Sequence, residues 1–178
     1  MENTLPQGDT DPRTADAAER AVERALPVAR RRPDLAARAY AALSQARRVR
    51  LDQNQLALSL AALRDAEAWL ARAPAPDSLT SAEVIRAGAM YAKARGDNQH
   101  AAELAGRRLA LLERALGPLD RRVMHALMQA AFYWARIDID EALRLREKLL
   151  DRRRRVWGDR RTPPRRPGGE GACLQSGP

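Results

Sequence analysis

The sequence repeats itself at an offset of 41 residues, between the segments 85–117 and 128–158. Identical residues stand at equivalent positions along the two segments: Ala89 and Ala130, Ala94 and Ala135, Asp97 and Asp138, Ala101 and Ala142, Leu104 and Leu145, and Gly117 and Gly158. A fixed period of this order is typical of stacked helix pairs, because a single pair cannot bury its apolar face alone. The repeat therefore predicts a helical array, and such arrays usually bind other macromolecules.

The composition favours helices over the whole chain. Alanine and leucine dominate, aromatic residues make up 4% of the sequence, and no run alternates β-branched and aromatic residues as a strand does. Short connections force successive helices to pack antiparallel. We therefore expect an all-α fold of about seven helices, in which a leading helix precedes three antiparallel pairs.

Turn and capping residues predict where these helices begin and end. Gly117-Pro118 is a strong termination pair. Two residue pairs have the spacing of a capping box, namely Thr80 with Glu83 and Asp138 with Glu141. The expected helical domain covers 14–158, with a leading helix over 14–32, pairs over about 35–73, 80–117 and 120–158, and disordered ends over 1–13 and 159–178.

The sequence points to a cytoplasmic protein that does not enter a membrane. The lone cysteine, Cys173, excludes an internal disulfide framework. The N-terminal residues are polar and acidic and lack the apolar core of a signal peptide. No run approaches the roughly 18 apolar residues that a membrane-spanning helix needs.

No motif for catalysis, for a cofactor or for a metal is found in the sequence. His100 and His125 are the only histidines, they stand on different predicted helices, and neither has a cysteine at ligand spacing. A glycine-rich phosphate loop, a nucleophile elbow and a Cys–His pair are all absent from the sequence. We therefore expect a protein that is not an enzyme and that needs no cofactor.

The repeat resembles the tetratricopeptide family, which stacks two-helix units with small residues where the helices cross. In the unit 80–117, Ala89 and Ala101 take the small crossing positions and Gly96-Asp97 forms the turn. The unit 120–158 has matching residues, namely Ala130, Tyr133, Asp138 and Ala142, with Ile137 at the turn glycine. The resemblance implies a right-handed α-solenoid that binds proteins or peptides.

Two varieties of this family are similar to parts of the chain. Leu116-Gly117-Pro118 and Trp157-Gly158-Asp159 resemble the unit ends of the long-period repeats of kinesin light chains. Met128-Gln129 stands where that variety has an asparagine pair that holds a bound peptide backbone. The segment from about 80 to 163 is also similar to the bacterial transcriptional activation domain of antibiotic-regulatory activators.

The helix register predicts a binding groove on the inner face, which is built from the first helix of each pair. The residues expected there are Gln45, Arg48, Arg86, Met90, Lys93 and Trp134. Such a mildly basic groove would suit a peptide with acidic and apolar residues.

A second apolar surface is expected on the last helix. Leu143, Leu150 and Trp157 recur every seven residues, and no further helix is expected to cover them. Because large exposed apolar stripes mark interaction sites, this stripe predicts self-association or docking of a partner.

The C-terminal part of the chain is rich in arginine, within a net charge of +9. The expected basic arm consists of Arg152, Arg153, Arg154, Arg155, Arg160 and Arg161. Such an arm could bind nucleic acid or an acidic partner with a steep dependence on salt. The favoured interpretation is a solvated helix end, where arginine suits the negative helix terminus.

The sequence thus favours a non-catalytic scaffold or regulatory module that binds other proteins. The main alternative is a nucleic-acid-associated transcriptional regulator that uses the arginine-rich C-terminus. A further alternative is a detached part of a larger signalling regulator.

Overall fold

A computed structural model of the chain describes residues 12–29, 31–48 and 53–158, and all elements named below lie in these ranges. They contain seven helices and no strand: α1 Pro12–Ala29, α2 Pro33–Arg48, α3 Gln53–Arg72, α4 Ser78–Ala94, α5 Asn98–Leu116, α6 Arg121–Trp134 and α7 Ile139–Trp157. The expected all-α fold with about seven helices is confirmed. None of these helices is both long enough and apolar enough to span a membrane.

The helices stack in chain order. Each packs against the next one, and α2 also packs against α4, so that the first helices of the first two pairs lie side by side. The leading helix α1 lies against α2 at one end of the array, and α7 lies against α6 at the other. Pro27 lies within α1, which ends at Ala29 rather than at Arg32 as the sequence suggested.

Two buried clusters fill the array, and both consist largely of alanine. One joins α1 to α4 and contains Ala37, Leu63 and Val84. The other joins α4 to α7 and contains Leu112 and Leu127. Small side chains at these positions let helix axes approach closely, and the larger leucines fill the space between them.

Aspartate begins four of the helices. The side chains of Asp77, Asp97, Asp120 and Asp138 each accept a backbone N–H from the first turn of α4, α5, α6 and α7, respectively. The capping box expected at Thr80 and Glu83 is therefore wrong, because Asp77 is the capping residue and Thr80 donates both its backbone N–H and its hydroxyl to it. Asp138 does cap α7 and accepts the N–H of Glu141 over 3.1 Å.

Two buried serines tie α2 to α3. The hydroxyl of Ser59 donates to the backbone carbonyl oxygen of Ser44 over 2.8 Å, and the two hydroxyl oxygens lie 3.0 Å apart. Both side chains are almost completely buried. The pair therefore satisfies two polar groups inside the core.

Candidate partner-binding face

Three cationic side chains lie at the C-terminal ends of the first helices of the pairs, which are the helices expected to build the inner face. Arg48 is the last residue of α2, Lys93 lies in the last turn of α4, and Arg136 follows the end of α6. All three stand at the C-terminal ends of first helices. These three residues are called the cationic row below.

Arg48 is only partly exposed, so water solvates its positive charge incompletely. Burial lowers the pKa of Arg48, the Tyr133 hydroxyl works against this shift, and the charge of Arg86 lowers the pKa further. Its Nε atom is buried and has no hydrogen-bond partner within the described residues. A carboxylate from a ligand would therefore stabilise this guanidinium.

Lys93 combines a positive charge with an aromatic surface. Burial lowers the pKa of Lys93, and the charges of Arg136 and Arg48 lower it further. Its Nζ atom lies 4.3 Å from the centre of the Phe132 ring, within the range of a cation–π contact. Phe132 is itself exposed, so α6 presents an apolar surface next to the row.

Arg86 and Gln45 form the next layer of the inner face. Arg86 donates from Nη2 to Oε1 of Gln45, and its Nε atom lies 3.1 Å from Oε2 of Glu83. Met90 is partly buried on the same helix, one turn beyond Arg86. Arg86 is therefore partly neutralised, unlike the cationic row.

A buried arginine, Arg108, contacts residues of both α4 and α6. Arg108 of α5 donates from Nη1 to Oε1 of Gln129 over 2.7 Å, and its Nη2 atom lies 3.4 Å from Oε1 of Glu83. Gln129 holds part of the position of the asparagine pair in the long-period repeats. Because Arg108 already occupies its amide oxygen, Gln129 is committed to a contact within the protein.

The assignment of Trp134 to the inner face stays a prediction. Trp134 is partly buried and packs against the cluster that joins α4 to α7. Tyr133 instead lies near the arginines, because the charges of Arg48, Arg108 and Arg86 all act on its pKa, which burial raises overall. Phe132 is exposed and supplies an aromatic surface beside Lys93, whereas Tyr133 is buried. Arg136 adds a cation that the sequence did not indicate.

The stripe on α7 is exposed in the structure. Leu143, Leu150 and Trp157 are 50%, 51% and 48% exposed, respectively. Since they share one face of a single helix, the structure brings all three together. A shallow cavity of about 420 Å³ lies at the C-terminal half of the stripe, between Leu150 and Trp157.

One of the six arginines expected in the basic arm is buried in the structure. Arg152 is 8% exposed and donates from Nη2 to Oε1 of Glu113 in α5, so its charge is used within the fold. Arg153, Arg154 and Arg155 are exposed on α7, and Arg154 lies 3.3 Å from Asp151. Arg160 and Arg161 lie outside the described residues. The binding of nucleic acid by this segment stays a prediction.

An apolar cleft between α3 and α5 has no counterpart among the sequence predictions. It has a volume of about 740 Å³, and Leu60, Leu63 and Gly88 contribute to its lining. A Cβ atom on Gly88 would lie 3.3 Å from a Leu104 methyl carbon, so glycine lets α4 and α5 approach here. A helical glycine was the one sequence signal that could have indicated this close packing.

The two histidines lie apart, on α5 and α6, and both are exposed. Among the residues that the structure describes, no three His, Cys, Asp or Glu side chains are grouped to hold a metal ion.

Comparison with known proteins identifies the fold. No protein-family model matches the sequence, and no curated protein matches it. The structure is similar to the crystal structure of BtubC (BKLC) from P. vanneervenii, a kinesin light chain-like protein of the tetratricopeptide type, with a TM-score of 0.65. The fold is that of a tetratricopeptide-like helical repeat. The resemblance to the kinesin light chain variety is thus confirmed for the fold.

Because the sequence identity is low and the coverage is partial, the similarity to BtubC concerns the fold alone. The two chains are 17% identical, and the match covers 84% of this chain but 60% of BtubC. The present chain therefore spans less than two thirds of the length of its structural neighbour. The resemblance to the bacterial transcriptional activation domain stays a prediction.

Proposed function

We propose that this tetratricopeptide-like repeat is a protein-interaction module that binds an acidic, partly apolar segment of a partner protein on its inner face. Helical repeats of this type are typically non-catalytic. They recognise partners through extended surfaces that successive first helices build together. The proposal includes an intracellular location, in the cytoplasm.

The cationic row is the observation that carries this proposal. Arg48 and Lys93 come from neighbouring first helices, and burial lowers the pKa of each while nearby positive charges lower it further. A ligand carboxylate would relieve this repulsion and would favour the charged form of both side chains. Acidic partners are therefore selected over basic ones, which the same charges would repel.

Phe132 supplies the apolar part of the proposed site. Its ring is exposed, and one side of it is covered by the Lys93 ammonium group. An apolar ligand side chain next to a carboxylate could contact both groups at once. The preferred segment would therefore alternate acidic and apolar residues.

A displayed peptide library tests the proposal, because it samples many candidate partner segments at once. The wild-type protein should enrich acidic peptides with apolar residues over basic peptides of equal apolar content. The variant with Arg48→Glu and Lys93→Glu should weaken the binding of an enriched peptide by at least about tenfold. Loss of the acidic preference in the variant supports the site, and equal enrichment of acidic and basic peptides by the wild type contradicts it.

A matched control separates the site from net charge. Arg114 and Arg146 are exposed on second helices, and Arg114→Glu with Arg146→Glu changes the net charge by the same amount. This control should bind the acidic peptide like the wild type, apart from a weak long-range effect that salt screens. Deletion of residues 159–178 should also leave this binding intact, whereas a regulator that acts through its basic C-terminus would lose its binding.

A further inference from the structure

We propose that two copies of the chain associate through α7, with the two α7 helices packed antiparallel along the exposed stripe. This dimer does not depend on the proposed function, because the stripe and the cationic row lie on different helices. The occupant of the stripe is thus a second copy of the same helix.

An uncovered apolar surface runs along one face of α7. Four side chains along one face of α7 are about half exposed: Ile139, Leu143, Leu150 and Trp157. No described helix packs against this face. α7 packs against α6 and pairs with Glu113 of α5 through Lys148 and Arg152, on the opposite side of the helix, and the leading helix α1 lies against α2. Isolated exposed leucines are ordinary on a protein surface, but an uncovered row along a whole helix is not.

The cavity on this face has the shape of a site that receives a side chain from another helix. The cavity is lined by Gly158 and by Leu150, Arg153, Arg154 and Trp157, and the last four are spaced i, i+3, i+4 and i+7 along α7. Four residues with this spacing form the hole that receives one side chain of a facing helix in knobs-into-holes packing. A leucine from a second helix is the natural occupant of such a hole.

The stripes of two copies fit each other when the two α7 helices are aligned antiparallel. If Leu143 of a second copy enters this hole in an antiparallel arrangement, Leu150 of that copy faces the stretch from Leu143 to Leu150 of the first. The same alignment places the Trp157 of that copy next to Ile139 of the first. Ile139 then meets Trp157, Leu143 enters the hole, and Leu150 packs on the side-chain methylene groups of Arg146 and Glu147. The arrangement is symmetric, as an isologous dimer requires.

Charge decides the direction of the two helices. The first turn of α7 is acidic, with Asp140 and Glu141, and the last turn is basic, with Arg154 and Arg155. The antiparallel alignment sets the acidic first turn of one copy against the basic last turn of the other. A parallel alignment would set Arg154 and Arg155 against their own copies and would be repelled. The two helix dipoles also favour the antiparallel arrangement.

Sedimentation equilibrium over a roughly hundredfold range of concentration tests this proposal. The wild-type protein should shift from monomer to dimer within that range. Leu150→Glu should raise the dimer dissociation constant by at least about tenfold, because it places a charge in the contact between the two stripes. The matched control is Leu58→Glu, which changes a similarly exposed leucine on α3 and should leave the dissociation constant unchanged.

Disulfide trapping tests the direction of packing, in a Cys173→Ser background. Leu143→Cys chains mixed with Arg153→Cys chains should form a mixed disulfide, and Leu143→Cys alone should not cross-link efficiently. Circular dichroism confirms that each variant is folded. A wild type that stays monomeric at every concentration overturns the proposal, as do a dimer that Leu150→Glu leaves unchanged and efficient cross-linking of Leu143→Cys to itself.

Discussion

Arg152 of α7 donates a hydrogen bond to Glu113 of α5 over 2.5 Å, and this contact joins the last two helix pairs. Lys148, one turn earlier on α7, lies 3.1 Å from the same carboxylate oxygen. The Arg152 side chain is 10% exposed, so this ion pair is shielded from solvent on one side. It fixes the position of the final helix against the preceding pair.

Removal of the Glu113 charge should therefore destabilise the array. Glu113→Gln should lower the free energy of unfolding by about 1–2 kcal/mol, because it leaves a largely buried guanidinium without its carboxylate while Glu113 itself remains partly screened by water. Urea denaturation measures this change. Glu67→Gln, at an exposed position on α3, is the control and should have little effect.

The same carboxylate should contribute to stability only above a certain pH. Burial raises the pKa of Glu113, but the hydrogen bonds and charges of Arg152 and Lys148 outweigh burial and bring the pKa below that of an ordinary glutamate. A pKa that is lower in the folded state gives stability that is present above the unfolded value, about 4.3, and is lost as the pH falls through the folded value. The stability of Glu113→Gln should depend less on pH in that acidic window.

The serine pair between α2 and α3 should show strong coupling. Ser59→Ala should cost about 1–2 kcal/mol of unfolding free energy, because it leaves the buried Ser44 hydroxyl without its partner. The double change of Ser44→Ala with Ser59→Ala should cost less than the sum of the single changes. A double-mutant cycle measured by thermal denaturation would contradict this coupling if the two effects simply add.

Much of the fold could be predicted from the sequence because helix ends and helix spacing are local properties. Asp97 and Asp138 lie at equivalent positions of the repeat, and both cap helices in the structure. The cap at Asp77 is hidden in the sequence because Thr80 and Glu83 imitate a capping box three residues later. Local spacing could not distinguish these two starts.

The inner face could be predicted only in part, because it depends on rotation about each helix axis. Arg48 and Lys93 lie on this face as their positions at the ends of first helices indicate. The place of Trp134 stays a prediction, because one helix position corresponds to about 100° and an error of that size would move the side chain to another face. Arg152 resembles part of an exposed arm in the sequence, because its partner, Glu113, lies on another helix and is invisible to local reasoning.

Two alanine variants test whether Phe132 or Trp134 belongs to the binding site. Phe132→Ala should weaken the binding of an acidic peptide about three- to tenfold, because it removes the apolar surface beside Lys93, and should change the unfolding free energy little. Trp134→Ala should instead cost about 2–4 kcal/mol of stability and leave the affinity of the folded protein unchanged. Fluorescence anisotropy and urea denaturation measure the two effects, and the reverse pattern would place Trp134 in the site.

A charge-reversal experiment tests the central claim, that the cationic row selects acidic partners. Fluorescence anisotropy is measured for the wild type and for the variant with Arg48→Glu and Lys93→Glu, each with an acidic peptide and with the same peptide in which every acidic residue is replaced by lysine. The wild type should bind the acidic peptide more tightly, and the variant should bind the lysine peptide more tightly. An unchanged preference for the acidic peptide in the variant would contradict the account.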